Sequence, residues 1–161
     1  MNTLSKILSR QDLVNKLDDI RDAGQILVFT NGCFDILHIG HARYLAAAKS
    51  EGDVLIIGVN SDESVRTIKG KKRPVIHQAY RAEVLAALAC VDYVTIFNEP
   101  DPLALIKLFR PHVLVKGADW EEDKIIGSEF IKANGGRVAR IPLEPDISTS
   151  KIIETILKNG Q

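Results

Sequence analysis

Two histidines three residues apart, with a glycine between them, follow an apolar run and a turn: His38-Ile39-Gly40-His41. On a helix this spacing brings both rings to one face. Such a pair can bind a metal, cap a helix or hold a phosphate. A zinc site needs three or four ligands, and the other histidines, His77 and His112, carry no ligand spacing around them. Capping is the ordinary role of a lone histidine. Two of them with Gly40 at a helix start favour an anion, because free N–H groups and the positive dipole end meet there. Gly32 in the same turn permits close backbone approach. The turn carries neither the Gly-x-Gly-x-x-Gly fingerprint nor a P-loop.

Other stretches carry chemistry that suits the same ligand. Asn60-Ser61-Asp62-Glu63 leads to Ile68-Lys69-Gly70-Lys71-Lys72-Arg73-Pro74. Such a run is often only a solvated loop, but after a strand end it is expected to be a flexible loop whose Lys69 and Lys71 close over phosphates. Arg81 lies one helical turn into the next segment, at reach for a bidentate phosphate contact. The plain alternative is a surface ion pair with Glu83 or Asp92. Lys116-Gly117 follows three apolar residues, as a strand-tip ligand contact or as an exposed turn. Ser148-Thr149-Ser150 starts the last helical stretch, where hydroxyls cap the helix and can cradle a phosphate. No Ser–His–acid set and no paired carboxylates are legible. The pattern holds phosphates without a covalent nucleophile, which suits phosphoryl or nucleotidyl transfer.

The elements that must position these residues alternate in type. Short β-rich runs cover 26–29, 54–59, 93–97, 113–115 and 137–141. Helical patterns cover 12–20, 42–49, 79–89, 102–109, 125–133 and 150–157. Strand and helix in alternation predict an α/β fold, a doubly wound five-stranded parallel sheet covered on both faces. Ligands on such sheets bind beyond the carboxyl ends of the strands. That rule directs attention to 30–41, 60–74, 98–101 and 116–120. The first helix, with Leu13, Leu17 and Ile20 on one face, either packs on the sheet or builds a dimer contact.

The bulk properties agree. A chain of 161 residues is expected to form one domain, with a core at about 24–158 and an N-terminal helix at about 10–22. Net charge is zero, which gives no sign of a nucleic-acid or membrane partner. Cys33 and Cys90 form no metal or disulfide pattern and fit free thiols in a reducing cytoplasm. The start of the chain has no apolar leader segment, and no run approaches the roughly 20 apolar residues of a membrane span.

Phe34-Asp35-Ile36-Leu37-His38-Ile39-Gly40-His41, with Ile147-Ser148-Thr149-Ser150 near the end, resembles the cytidylyltransferase-like nucleotidyltransferase superfamily. Within it, several stretches resemble the heptose-1-phosphate adenylyltransferases: 28–35, Gly58-Val59-Asn60-Ser61-Asp62, Lys69-Gly70, Arg73-Pro74-Val75, Arg81-Ala82-Glu83-Val84-Leu85, Cys90-Val91-Asp92-Tyr93 and Leu114-Val115-Lys116-Gly117. The likeness covers about 10–158, without a kinase half, as in the stand-alone form. It implies a Rossmann-like nucleotidyltransferase fold and joining of the AMP part of ATP to D-glycero-β-D-manno-heptose 1-phosphate, with release of pyrophosphate, for lipopolysaccharide precursor synthesis. It also implies Mg²⁺ with ATP and a homodimer. By the same resemblance His38, His41, Lys69, Lys71 and Asp35 would serve catalysis. Thr30, Asn31, Gly32, Phe34, Gly40, Arg81, Lys116, Gly117, Ser148, Thr149 and Ser150 would serve nucleotide binding. Asp35 would orient a substrate hydroxyl or a lysine, unless it only caps the first turn. Two departures stand out: Asp146-Ile147 replaces a Gly-Tyr pair, and Gly117-Ala118-Asp119-Trp120 replaces Gly-Gly-Asp-Tyr. The alternatives are a cytidylyltransferase for glycerol 3-phosphate, an adenylyltransferase for a flavin or another phosphate, and a nucleotide-binding module without turnover.

Overall fold

A computed structural model describes residues 3–160. Five strands form one parallel sheet: β1 (Leu27–Gly32), β2 (Val54–Asn60), β3 (Tyr93–Phe97), β4 (Val113–Gly117) and β5 (Arg137–Ile141). Their order is β3-β2-β1-β4-β5, so β1 is central and the chain reverses direction across the sheet beside it. This is the expected doubly wound, Rossmann-like architecture.

The strands alternate between two buried faces. In β1, Val28 points to one apolar cluster, and Leu27 and Phe29 point to the other. In β2, Leu55, Ile57 and Val59 oppose Val54 and Ile56 in the same way. Residues apolar on both faces are what a covered parallel sheet requires. Helices α2 (Ile39–Lys49) and α4 (Gln78–Ala86) cover the first face with Leu45, Ala48, Ala82 and Leu85. Helices α1 (Arg10–Asp22), α5 (Leu103–Phe109) and α6 (Ser128–Ala133) cover the second with Leu13, Leu17, Leu105, Phe109 and Ile131. The first helix therefore packs on the sheet. Its start is capped by Ser9, whose hydroxyl accepts from the Asp12 amide.

Three differences from the sequence expectations have local causes. The charged stretch after β2 is not all loop: Asp62–Lys69 forms α3, capped by the Ser61 hydroxyl and with Asp62 and Glu63 favouring its positive end. The expected helix over 125–133 is confined to Ser128–Ala133, because Gly127 at φ 90° precedes it. Strands β1 and β4 run on to Gly32 and Gly117, further than their apolar runs, because parallel neighbours continue their ladders. The last helix, α7 (Thr149–Asn159), buries none of its residues fully. Among the described residues, no helix is long and apolar enough to cross a membrane.

Leu17 is 1% exposed and joins α1 to the sheet. The substitution Leu17→Ala should cost about 2–5 kcal/mol of unfolding free energy in urea titrations. A loss below about 1 kcal/mol would show that α1 does not belong to the core.

Candidate active site

Beyond the carboxyl ends of β1, β2 and β4 lies a cleft of about 740 Å³. The sheet order sets its place, since the loops after β1 and β4 leave toward opposite faces and open a crevice between them. Thirteen of the sixteen residues expected at the site line it: Asn31, Gly32, Phe34, Asp35, His38, Gly40, His41, Lys69, Lys116, Gly117, Ser148, Thr149 and Ser150. The three others are Thr30, Lys71 and Arg81.

The two histidines sit at the start of α2. His38 is the residue before its first turn, in extended conformation, and its side chain caps nothing. Its ring stacks on that of His41 with centroids 3.9 Å apart. Gly40 makes this possible, because a Cβ there would meet the His38 ring at 3.0 Å. The Nδ1 atom of each ring is buried without a hydrogen-bond partner. The Nε2 atoms have no such confinement and are the nitrogens that meet the cleft. A buried lone pair costs less than a buried unpaired N–H, so each ring is assigned as the Nε2–H tautomer, a donor aimed at the ligand space. Burial pushes the His41 pKa down to about 4, helped by its neighbour His38. Burial also lowers His38. The ligand-free pair is therefore neutral at pH 7.

The turn before the histidines is held by strain and by a buried carboxylate. Phe34 takes φ 45°, a left-handed value that costs a non-glycine residue energy. Its ring packs edge-on against His41 at 5.3 Å. Asp35 has a side chain 1% exposed. Its Oδ1 accepts from the Val75 and Ile76 amides at 2.8 and 2.9 Å, and its Oδ2 from Arg73 Nε at 2.6 Å. Burial alone would raise this carboxyl's pKa, but the two amides and Arg73 outweigh it and hold it low. Asp35 thus anchors the loop at 73–76, and the cation that it orients is Arg73, where the sequence suggested a lysine or a substrate hydroxyl.

Three further expectations change. Arg81 is fully buried: Nε donates to Ile76 O at 2.9 Å, Nη1 to Cys33 O, and Nη2 to Asp62 at 2.8 Å. It ties the end of β1, the start of α3 and the loop before α4 together, and neither Glu83 nor Asp92 is its partner. Thr30 is buried and shares a 2.8 Å hydrogen bond with the Tyr44 hydroxyl, which fastens α2 to β1. Lys71 is exposed on the loop after α3 and does not line the cleft. A two-residue offset along an exposed turn separates it from Lys69, which ends α3 and does line it.

On the far side of the cleft, the Ser148 hydroxyl caps α7 by accepting from the Lys151 amide at 3.2 Å. The Thr149 hydroxyl donates to Ile36 O at 3.3 Å, which anchors this helix start to the turn after β1. Lys116 donates to the Asn31 side chain, and burial lowers its pKa to about 8. The free amides of α7 and these cations make the cleft an anion site. Sequence reasoning marked the stretches holding Arg73, Asp119 and Trp120 but gave these residues no role, and it missed Tyr44 and Lys151; all five line the cleft. Arg73 stands within the basic run at 68–74 and Lys151 directly follows the capping triplet, but neither position by itself singles the residue out. His112 is structural, its Nδ1 accepting from the Leu27 amide at 2.9 Å.

Known proteins resemble this chain in sequence and fold. A family model for cytidylyltransferase-like proteins matches residues 29–155, which include the histidine pair and the start of α7. The bifunctional protein HldE of Geobacter metallireducens is 48% identical over 154 residues, covering 96% of this chain and 31% of that protein. HldE of Geobacter sulfurreducens is 53% identical over 135 residues, covering 84% of this chain and 28% of the relative. The chain thus spans under a third of the length of these relatives. Among solved structures, a lipopolysaccharide core biosynthesis protein from Thermoplasma volcanium superposes with a TM-score of 0.66 at 30% identity, covering 76% of this chain and all of the other. A pantoate–beta-alanine ligase from Francisella tularensis, with a TM-score of 0.58 at 18% identity over 94% of this chain and 76% of its own, shares the fold. The match over most of the chain, with the stacked histidines inside it, shows that this protein belongs to the cytidylyltransferase-like family.

Proposed function

We propose that residues 1–161 act as one nucleotidyltransferase domain that joins the AMP part of ATP to D-glycero-β-D-manno-heptose 1-phosphate, giving ADP-heptose and pyrophosphate. The observation that carries the reaction class is the stacked neutral pair His38–His41, donors toward a cleft that also receives the start of α7. The heptose substrate is supported by the likeness to HldE proteins and to the lipopolysaccharide core biosynthesis protein. In this reading an oxygen of the sugar phosphate attacks the α-phosphorus of ATP. The bond from that phosphorus to the oxygen bridging to the β-phosphate breaks, and pyrophosphate leaves carrying the charge.

The chain's own groups act by position and charge. The amides and hydroxyls of Ser148, Thr149 and Ser150 bind the β- and γ-phosphates at the positive end of α7. The Nε2–H groups of His38 and His41 donate to oxygens on which charge builds at the α-phosphorus. Lys69 neutralises the incoming phosphate. Lys116, Asn31 and Gly117 face the nucleoside at the end of β4. Among the described residues no group of three or more His, Cys, Asp or Glu could cage a metal. The lining suits a magnesium ion held chiefly by the triphosphate, with Asp119 as a cleft carboxylate that forms no ion pair among the described residues. Such an ion would neutralise the leaving pyrophosphate. The enzyme works in the cytoplasm as a homodimer, which light scattering on the purified protein checks.

Pyrophosphate release with Mg²⁺ and ATP or CTP, against heptose 1-phosphate, glycerol 3-phosphate and flavin mononucleotide, tests the substrates. Turnover is expected only with ATP and heptose phosphate. Turnover with CTP and glycerol phosphate would overturn the substrate, and no turnover with any pair would overturn the enzyme. His41→Ala should lower kcat by roughly 10²-fold or more while circular dichroism and thermal unfolding stay near wild type. Near-wild-type turnover would remove His41 from the chemistry.

The histidine pair also gives a proton signature. At pH 5.5 the free His41, with a pKa of about 4, is neutral. Phosphates placed on it raise that pKa. Binding a non-hydrolysable ATP analogue should therefore take up more protons in wild type than in His41→Gln. Calorimetry in two buffers of different ionisation enthalpy reads the difference, and equal uptake would show that phosphates do not contact the pair.

A further inference from the structure

We propose that Arg73 binds the phosphate of the acceptor substrate, with Asp35 as the group that aims it. The assignment rests on the transfer reaction proposed above. The Arg73 side chain is 18% exposed and lines the cleft on the same loop side as Lys69. Only its Nε is engaged, by Asp35 Oδ2 at 2.6 Å. Its two terminal nitrogens have no hydrogen-bond partner among the described residues. A guanidinium held at Nε keeps its terminal fork free, and that fork matches two oxygens of one phosphate. Asp35 spends three of its roughly four acceptor positions on this loop, since its other oxygen takes the Val75 and Ile76 amides. A buried carboxylate with three donors fixes the guanidinium's plane before any ligand arrives, so little rotamer entropy is lost on binding.

The choice between acceptor and nucleotide phosphates follows from in-line geometry. The turn after β1 meets α7 through Thr149 on Ile36 O, and it meets the loop at 73–76 through the neighbouring residue, Asp35. Lys69 and Arg73, four residues apart in the chain, both line the cleft. Direct displacement puts the attacking and leaving oxygens on opposite sides of phosphorus. With pyrophosphate held at the start of α7, Lys69 and Arg73 are the cleft cations carried by a different segment, and the assignment gives them the attacking phosphate. The histidines, carried by the turn between, then meet the phosphoryl group in transit.

Arg73→Ala should raise the KM for the sugar phosphate by about 10- to 100-fold, the worth of one charge-assisted pair. The affinity for an ATP analogue measured alone should change less than about twofold. Free guanidinium ion added to the variant should restore part of the acceptor affinity, a recovery that a purely structural loss would not allow. Arg73→Lys, which keeps charge but loses the fork, should recover less than half of the effect. Equal losses for both substrates, or an unchanged acceptor KM, would overturn the assignment. If wild type turns over no acceptor at all, the proposed reaction fails by itself. Inorganic phosphate binding to the analogue-loaded protein then decides on Arg73: binding lost in Arg73→Ala and Arg73→Lys supports the site, and binding unchanged overturns it.

Discussion

A carboxylate almost out of reach of water, Asp35, holds the cleft in shape. A buried charge is costly unless it is fully partnered, and Asp35 meets that demand by recruiting two backbone amides and an arginine from a loop some forty residues on. Removing it would leave those donors unpaired and free the loop that bears Arg73. Arg81 makes a second knot of the same kind one turn further on, drawing Cys33, Ile76 and Asp62 together. Between them the two knots fasten the end of β1, the start of α3 and the loop before α4. What lies on the cleft surface is then free to serve a ligand.

The same logic explains the histidines. Stacked rings 3.9 Å apart repel if both are charged, and burial penalises either charge. The ligand-free site therefore keeps these two donors neutral. Lys116 differs: with its pKa lowered to about 8 by burial it still carries its charge at pH 7 near the end of β4. A cleft built like this stores little electrostatic strain when empty and answers most strongly to the most highly charged state along the reaction.

Much of this was legible in the sequence, for identifiable reasons. Parallel strands buried on both faces leave continuous apolar runs, so the sheet and its ligand edge could be read from 54–59 or 113–115. His38, Gly40, His41 and Ser148–Ser150 lie at helix starts, where local chemistry alone marks an anion site. Roles set by long-range partners were not legible. Asp35 and Arg81 look like ligand contacts in sequence, and only the fold reveals that Val75, Ile76, Cys33 and Asp62 consume their hydrogen bonds. Lys69 and Lys71 cannot be told apart until α3 ends between them. Arg73 went unassigned because a basic run gives no hint of which member has a buried anchor.

The central claim is that phosphates are positioned for one direct displacement, with no side chain bonded to the nucleotide. The stereochemical course at the α-phosphorus tests it most directly. With ATP bearing a sulfur of defined configuration at that phosphorus, a single in-line displacement must invert the centre in the nucleotide sugar. Inversion is the result this account predicts. Retention would mean two displacements through a covalent nucleotidyl–protein intermediate, with a side chain such as His41 as the nucleophile, and would contradict it.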